Sequence, residues 1–98
     1  MQYNFEWDPN KAQSNIEKHG VTFEEAAEVF LDALHIPVFD FEHNGIEERW
    51  ITLGKNTNER ILVVVHTFQE HNEQMATVRL ISARKATKYE QQQYEENP

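Results

Sequence analysis

The stretch RILVVVHT, residues 60–67, decides the fold of this 98-residue chain. Its residues 61–65, ILVVV, are continuously apolar. A strand with one face in water alternates apolar and polar residues, whereas a strand covered on both faces is apolar throughout. The stretch is therefore predicted to be a central strand of a sheet that is covered on both faces.

Two further strand-like runs flank this central strand in the sequence. They are ERWITLG at 48–54 and ATVRLISA at 76–83. Turn-forming residues at 55–58 (KNTN) separate the first pair of strands, and the very polar run at 68–75 (FQEHNEQM) is predicted to be a longer loop. These runs indicate a meander of antiparallel strands.

The first 45 residues are predicted to contain a strand, two helices and an irregular segment. QYNFEW at 2–7 alternates with period two, which is typical of a half-buried strand. Asp8 and Pro9 are suited to begin a helix that ends at Gly20. HIPVFDFEHNG at 35–45 contains Pro37 and ends in Asn44–Gly45, so we expect an irregular or edge segment followed by a turn.

The second helix has the strongest helical pattern in the chain. TFEEAAEVFLDAL at 22–34 begins with a possible capping box of Thr22 and Glu25. Its apolar residues follow the helical period over three turns. They are Phe23, Ala26, Ala27, Phe30, Leu31 and Leu34. Phe30, at the centre of this stripe, is predicted to pack on the sheet.

A third helix is predicted at the end of the chain. Thr87 and Glu90 form another possible capping box before KYEQQQYEE at 88–96, which has few apolar residues and is expected to be held loosely or by a partner. The order of elements predicts an α+β single domain over 1–98. In this domain, two N-terminal helices pack on an antiparallel sheet of about four strands, and a C-terminal helix follows.

The composition excludes several classes of protein. The chain has no Cys, so disulfides, Cys-based zinc sites and a thiol nucleophile are excluded. No apolar run is long enough to span a membrane, and no signal peptide opens the chain, so we expect a cytoplasmic protein. The net charge of −8 argues against indiscriminate nucleic-acid binding and favours a basic protein partner.

Positive charge is nevertheless concentrated in RLISARKATK at 79–88. This stretch contains four of the nine Lys and Arg residues and no acid. Any nucleic-acid site must be local in so acidic a chain, and this stretch is where it is predicted.

Several blocks of the sequence together resemble the BrnT family, the toxin half of BrnT/BrnA toxin–antitoxin pairs. The blocks are DPNKAQSNIEKHGVTFEEA at 8–26, ER at 48–49, VVVHT at 63–67, and RLISARKAT at 79–87 with Glu90. The resemblance implies a fold like that of the RelE ribonucleases and cleavage of mRNA without a metal or other cofactor. It also implies neutralisation by a small ribbon-helix-helix antitoxin of the BrnA type, through which alone the complex would contact DNA.

Metal-free RNA cleavage needs a proton acceptor, a proton donor and cations that stabilise the phosphate. The candidate catalytic residues are His19, Glu48, Arg49 and Arg79, and the candidate RNA-binding residues are Lys11, Lys18, Arg84, Lys85, Lys88 and Tyr89. His35, His43 and His71 show no ligand spacing, and no metal site is predicted. If the fold agrees with the resemblance, we expect the blocks around His19 and Arg84 to converge on one face.

A structural interpretation stays open beside each functional one. Lys18 and His19 suit a helix C-terminus, Glu48 and Arg49 suit an edge salt bridge, and Arg79 suits a pair with Glu24 or Glu28. Arg84 and Lys85 also fit a solvated basic turn, and His66 fits a partly buried structural histidine. A second function also stays open. The chain could be a catalytically inactive binding module that helps its partner bind operator DNA, which the acid-rich segment at 88–96 favours.

Overall fold

The fold comprises three α-helices and six strands within residues 1–42 and 48–96, which are the residues that this computed structural model describes. The helices are α1 (Pro9–His19), α2 (Phe23–Ala27) and α3 (Lys88–Glu96), and a 3₁₀ turn (Glu28–Leu31) directly follows α2. The strands are β1 (Gln2–Glu6), β2 (Ile36–Phe39), β3 (Arg49–Lys55), β4 (Ile61–Thr67), β5 (Gln69–Asn72) and β6 (Met75–Lys85). The turn predicted at Asn44–Gly45 lies outside the described residues.

The described strands form one sheet in the order β1-β6-β4-β3-β2, and β5 also pairs with β6. The prediction that β4 is central is confirmed, because it pairs antiparallel with both β3 and β6. The prediction of an antiparallel sheet of about four strands is wrong, since the sheet has six strands and β1 runs parallel to β6. The sheet is therefore mixed, within an α+β fold.

The long strand β6 explains both corrections. Its second half pairs with β4, and its first half pairs with β1 on one edge and with β5 on the other. β5 lies in the segment predicted to be a polar loop. All four of its residues are exposed, so it has no apolar alternation that would predict a strand. Pairing of β1 with β6 joins two strands that are far apart in the sequence, and no local sequence pattern predicts such a contact.

Helices α1 and α2 and the 3₁₀ turn that follows α2 cover one face of the sheet. The buried cluster on this face contains Val21, Phe23, Ala26, Val29 and Phe30 from the helical side, and Leu62, Val64, Val78, Leu80 and Ala83 from the sheet. Alternation along β4 places Val63 on the opposite face, and Val63 is buried as well. The prediction of a strand covered on both faces is confirmed at this position.

The predicted helix boundaries are confirmed where a side chain caps the helix. Asp8 accepts a hydrogen bond from the Asn10 N–H at 2.8 Å, and Gly20 ends α1 with a φ of 67°. The Thr22 hydroxyl accepts from the Glu25 N–H at 3.0 Å, as the capping box requires. Each cap satisfies a main-chain group that the helix itself leaves unpaired.

The second helix is shorter than its sequence pattern predicts. It becomes a 3₁₀ turn at Glu28, and Leu31 and Leu34 are 78% and 58% exposed rather than buried. Asp32 ends the helical segment, because its carboxylate accepts hydrogen bonds from the N–H groups of Leu34 and Lys55 at 2.9 Å each. A 3₁₀ turn advances 120° per residue, so Leu31 leaves the apolar stripe, and Leu34 lies beyond the end of the helical segment.

Polar contacts hold α3 against the sheet, although loose attachment was expected from its composition. Thr87 and Glu90 form the predicted capping box. Arg84 on β6 donates to both carboxylate oxygens of Glu90 at 2.8 Å each. Tyr94 is buried, and its O–H donates to the Asp32 carboxylate at 2.5 Å. The helix needs few apolar contacts because two charged groups outside it, the Arg84 guanidinium and the Asp32 carboxylate, form hydrogen bonds with its side chains.

These contacts change the acidities of the groups that make them. The hydrogen bonds from Arg84 lower the pKa of Glu90 to about 2, with burial opposing the change. Burial and the hydrogen bond to Asp32 raise the pKa of Tyr94 to about 12. Burial pushes the pKa of Asp32 upward, but the hydrogen bonds from Tyr94, Lys55 and Leu34 outweigh it, and the net change is downward.

Replacing Phe30 with Ala should destabilise the protein strongly. Its ring packs against Tyr3, Phe5 and His66, with centroid separations between 4.9 and 5.6 Å. Removing a buried Phe costs roughly 3–5 kcal/mol of unfolding free energy, which urea denaturation would measure. Phe41→Ala is the matched control, because Phe41 is 84% exposed and should lose far less. Equal losses for the two variants would contradict this packing.

The contribution of Glu90 to stability should disappear in acid. Its pKa is about 2 when folded and 4.5 ordinarily, so the ion pair stabilises the folded state fully above about 4.5. This contribution should be lost as the pH falls toward about 2. The measurement is the difference in unfolding free energy between wild type and Glu90→Gln across this range. A difference that does not shrink with falling pH would show that the carboxylate charge is not its source.

Candidate functional site

Three of the predicted site residues, Lys11, Lys18 and His19, line one cleft between α1 and β6. The cleft has a volume of about 240 Å³ and is lined by Lys11, Ser14, Asn15, Lys18, His19, Ile81 and Ser82. Positions 11, 15 and 18 share one side of α1 because they are spaced by about one helical turn. We call this site the α1–β6 cleft.

Asn15 holds α1 beside β6. Its side-chain amide donates to the carbonyl oxygen of Ala83 at 2.8 Å, and its carbonyl oxygen accepts from the Ala83 N–H at 3.0 Å. The amide also donates to the carbonyl oxygen of Val21 at 2.9 Å. Strand β1 pairs with β6 only as far as Arg79, so the Asn15 side chain pairs with main-chain groups that no strand reaches.

Asn15 is not among the candidate residues that the sequence indicates. Its spacing from Lys11 and Lys18 shows only that the three share one side of a helix. The sequence signal that could have identified it is an Asn in a helix interior, where Asn is disfavoured unless its side-chain amide forms hydrogen bonds. In the structure, Asn15 is buried.

Arg49 and Arg79 lie on the sheet face opposite to α1 and α2. Arg49 pairs with Thr67 across β3 and β4, and Leu80 pairs with His66 across β6 and β4. One step along this register, Arg79 lies opposite Thr67. The two arginines therefore lie in the same row across three strands, about 10 Å apart between backbones at the usual strand spacing.

The structural alternatives for Arg49 and Arg79 have different outcomes. Arg49 does form an ion pair, with its Nε 3.7 Å from the carboxylate of Asp40, although Glu48 was the neighbour considered. Arg79 is exposed and is paired in register with Glu6 on β1, while Glu28 accepts hydrogen bonds from Thr57. Glu48 is exposed just before β3, and its carbonyl oxygen accepts from the Phe68 N–H at 3.1 Å.

The cations at the end of β6 separate from one another. Arg84 is held by Glu90, and this hydrogen-bonded pair raises the pKa of Arg84. Lys85 is exposed and lines a different cleft together with Lys55, Arg60 and Glu95. The pairing of Arg84 with Glu90 differs from a solvated basic turn, in which Arg84 would be surrounded by water. The separation of Arg84 from Lys85 differs from a clamp in which both side chains bind one phosphate. The sequence assigns Glu90 to a capping box and to the block that resembles the BrnT family, and does not predict its ion pair with Arg84.

Lys88 and Tyr89 lie in the first turn of α3. Lys88 is exposed, and 69% of the Tyr89 surface is accessible to solvent. The exposed ring of Tyr89 is a surface on which a nucleotide base could stack.

His66 has a structural environment, as its alternative interpretation predicts. It is 2% exposed, and burial lowers its pKa to about 4. Its Nδ1 lies 2.9 Å from the carbonyl oxygen of Thr67, which can only accept, so Nδ1 carries the proton. Nε2 then accepts from the Thr52 hydroxyl at 2.6 Å. A neutral, enclosed imidazole with both nitrogens occupied is not suited to transfer protons to RNA.

The described residues form neither a metal-binding cluster nor a membrane-spanning helix. Within 1–42 and 48–96, no group of three or more His, Asp or Glu residues is arranged to hold a metal ion. None of the described helices is long and apolar enough to cross a membrane.

The chain is similar to a known protein family and to a solved structure. The family model described as "Ribonuclease toxin, BrnT, of type II toxin-antitoxin system" matches residues 7–90. The crystal structure of the Brucella abortus ribonuclease toxin BrnT is similar, with 25% sequence identity and a TM-score of 0.57. The match covers 90% of this chain and all of the Brucella chain. No curated protein sequence matches.

The family model covers most of the chain, including α1, the central strands and β6. The resemblance noted in the sequence blocks is therefore confirmed. The chain belongs to the BrnT family of ribonuclease toxins of type II toxin–antitoxin systems.

Proposed function

We propose that this chain is an endoribonuclease that cleaves mRNA in the cytoplasm without a metal. We also propose that a small ribbon-helix-helix antitoxin of the BrnA type neutralises it, so that the toxin reaches DNA only through this partner. The observation that carries the proposal is the α1–β6 cleft, in which Lys11, Lys18 and His19 face the most basic strand of the sheet.

The cations around β6 support a path for RNA across this strand. Lys11, Lys18 and Arg79 are all exposed, so a phosphate can approach each of them from solvent. Ser82 lines the cleft, and its register with Val65 places it on the same sheet face as Arg84. A phosphodiester that crosses the edge of β6 near Ser82 would contact lysines from α1 and approach the arginines on the sheet face.

Each part of the cleavage reaction has a candidate residue, either in the α1–β6 cleft or on the neighbouring strands of the sheet. His19 is proposed to transfer a proton, either from the attacking 2′-hydroxyl or to the leaving 5′-oxygen, since imidazole is suited to both near neutral pH. Lys18 and Arg79 are proposed to stabilise the pentacoordinate phosphate. Arg49 is proposed as a second phosphate contact, and the exposed Glu48 beside it as the other proton-transfer group.

The residues after β6 are proposed to contact RNA outside the reacting phosphate. Lys85 and Lys88 are exposed and would bind backbone phosphates, and Tyr89 would stack on a base. Arg84 contributes less than its position in the sequence indicates, because a phosphate must first replace the Glu90 carboxylate.

Purified protein with an RNA substrate and EDTA tests this assignment. His19→Ala should lower the cleavage rate roughly 10²-fold or more. Arg79→Ala should lower it roughly tenfold to a hundredfold, because a charge-assisted phosphate contact is removed. His71→Ala is the matched control, since His71 is exposed on β5 and bonds to Thr77. Circular dichroism should show that all three variants fold.

Two results would contradict the proposal in different ways. If His19→Ala cleaves at the wild-type rate, His19 only ends its helix and another group transfers the proton. If the wild type binds its antitoxin and cleaves no RNA under any condition, the chain is a non-catalytic partner of a DNA-binding protein, the alternative function that the acidic α3 favours.

A further inference from the structure

The net negative charge of this protein arises from one third of its sequence. Residues 19–48 contain no Lys or Arg and eight acids, which equal the whole net charge of −8. The acids are Glu24, Glu25, Glu28, Asp32, Asp40, Glu42, Glu47 and Glu48. Outside this segment, the acids and the cations balance. Two of these acids form ion pairs with cations outside the segment, Glu25 with Arg60 and Asp40 with Arg49. The other acids leave the segment with an excess of negative charge, which attracts a cationic partner.

The same segment contains most of the exposed large apolar side chains among the described residues. Leu31 is 78% exposed, Leu34 58%, Val38 53% and Phe41 84%. Leu31 ends the 3₁₀ turn, Leu34 precedes the sheet-edge strand β2 and Phe41 follows it. Val38 lies in β2 on the sheet face opposite to α1 and α2, because successive strand residues alternate between faces and its neighbour Pro37 is on the helical side. We call these four residues the edge surface. Apolar groups exposed together and rimmed by charge mark an interaction site.

The main chain of β2 is poorly suited to receive an additional strand. The Asp40 N–H donates to the Arg49 carbonyl oxygen at 2.9 Å, so Ile36, Val38 and Asp40 direct their main-chain groups toward β3. Pro37 and Phe39 direct theirs away from the sheet, and Pro37 has no N–H. Only one outward donor remains within β2, so a partner must bind mainly through side chains.

An apolar cavity lies beside β2 on the helical side of the sheet. It has a volume of about 220 Å³ and is lined by Tyr3, Phe30, His35, Pro37, Trp50, Thr52, His66 and Phe68. This is enough space for one large side chain. The Trp50 Nε1, although enclosed, has no hydrogen-bond acceptor among the described residues. A single apolar anchor in a cavity is a common source of affinity at protein interfaces.

We infer that the edge surface is the docking site for a basic amphipathic segment of the antitoxin, with one apolar side chain of that segment in the cavity. The identity of the partner rests on the proposed function, whereas its chemistry follows from the surface. A DNA-binding protein is rich in cations. A second copy of this chain would set acid against acid, and RNA would be repelled.

Docking at this surface leaves the α1–β6 cleft uncovered by the docked segment itself. The strand β2 is separated from β6 by β3 and β4, at the far side of the sheet. Arg49, which pairs with Asp40 beside β2, lies next to the docked segment, whereas the α1–β6 cleft does not. Variants at β2 and variants in the cleft therefore test partner binding and cleavage separately.

The test uses the antitoxin encoded beside this chain, titrated calorimetrically onto the full-length toxin. Leu34→Ser combined with Phe41→Ser should raise the dissociation constant roughly tenfold or more, because two apolar contacts are lost. Ile16→Ser is the matched control, since Ile16 is 41% exposed on α1, outside the acidic segment, and this change should leave the constant unchanged. Added salt should weaken binding of the wild type, because the partners have opposite charge.

Hydrogen exchange on the wild-type complex gives a second readout that depends on no variant. Protection at 31–42 supports the inference, and protection confined to 79–96 overturns it. Wild-type affinity in the double variant, with its fold confirmed by circular dichroism, overturns it as well.

Cleavage assays separate this inference from the proposed function. The double variant should cleave RNA at the wild-type rate and escape neutralisation by the antitoxin. Absence of RNA cleavage by the wild type would reject the ribonuclease proposal and leave the binding result valid. Absence of antitoxin binding to the wild type would reject the proposed partner and the docking site together.

Discussion

The hydrogen bonds between the Asn15 side chain and the main chain of Ala83 are the contact on which the site depends. They attach α1 to the part of β6 that β1 does not reach. Without them, a helix with little apolar surface would have no defined position beside the sheet. Because Asn15 lies between Lys11 and Lys18 on the same side of the helix, the contact that fixes α1 also directs both lysines toward β6. Structure and candidate chemistry thus share one residue.

Because charge is distributed unevenly, the two sides of the sheet are suited to bind different ligands. At β6, positive side chains stand exposed on a strand and on the neighbouring helix. At β2, apolar side chains stand exposed in a segment without a single Lys or Arg. An evenly acidic surface would repel RNA everywhere and attract a basic partner without preference for a site. Separation of charge allows one small domain to present a distinct surface to each of two ligands.

Local patterns predicted those parts of the structure that local forces determine. The caps at Asp8 and Thr22 were predicted because each is a contact between residues close in sequence, and the central strand because its run of apolar residues is continuous. The parallel pairing of β1 and the strand β5 were not predicted, since both depend on β6. The ion pair of Arg84 with Glu90 was missed for a different reason. Each residue had a sufficient local explanation, and only the fold shows that they meet.

The pairing of the first strand with the last has a consequence for synthesis of the protein. β1 leaves the ribosome early, but its partner β6 is among the last elements to be made. The cleft also needs β6, because α1 is attached there through Ala83. A nascent chain therefore cannot assemble the site until β6 has been made. Contacts between distant parts of a chain also form slowly. For a toxin, this order of events delays any activity until every strand of the sheet is available to fold.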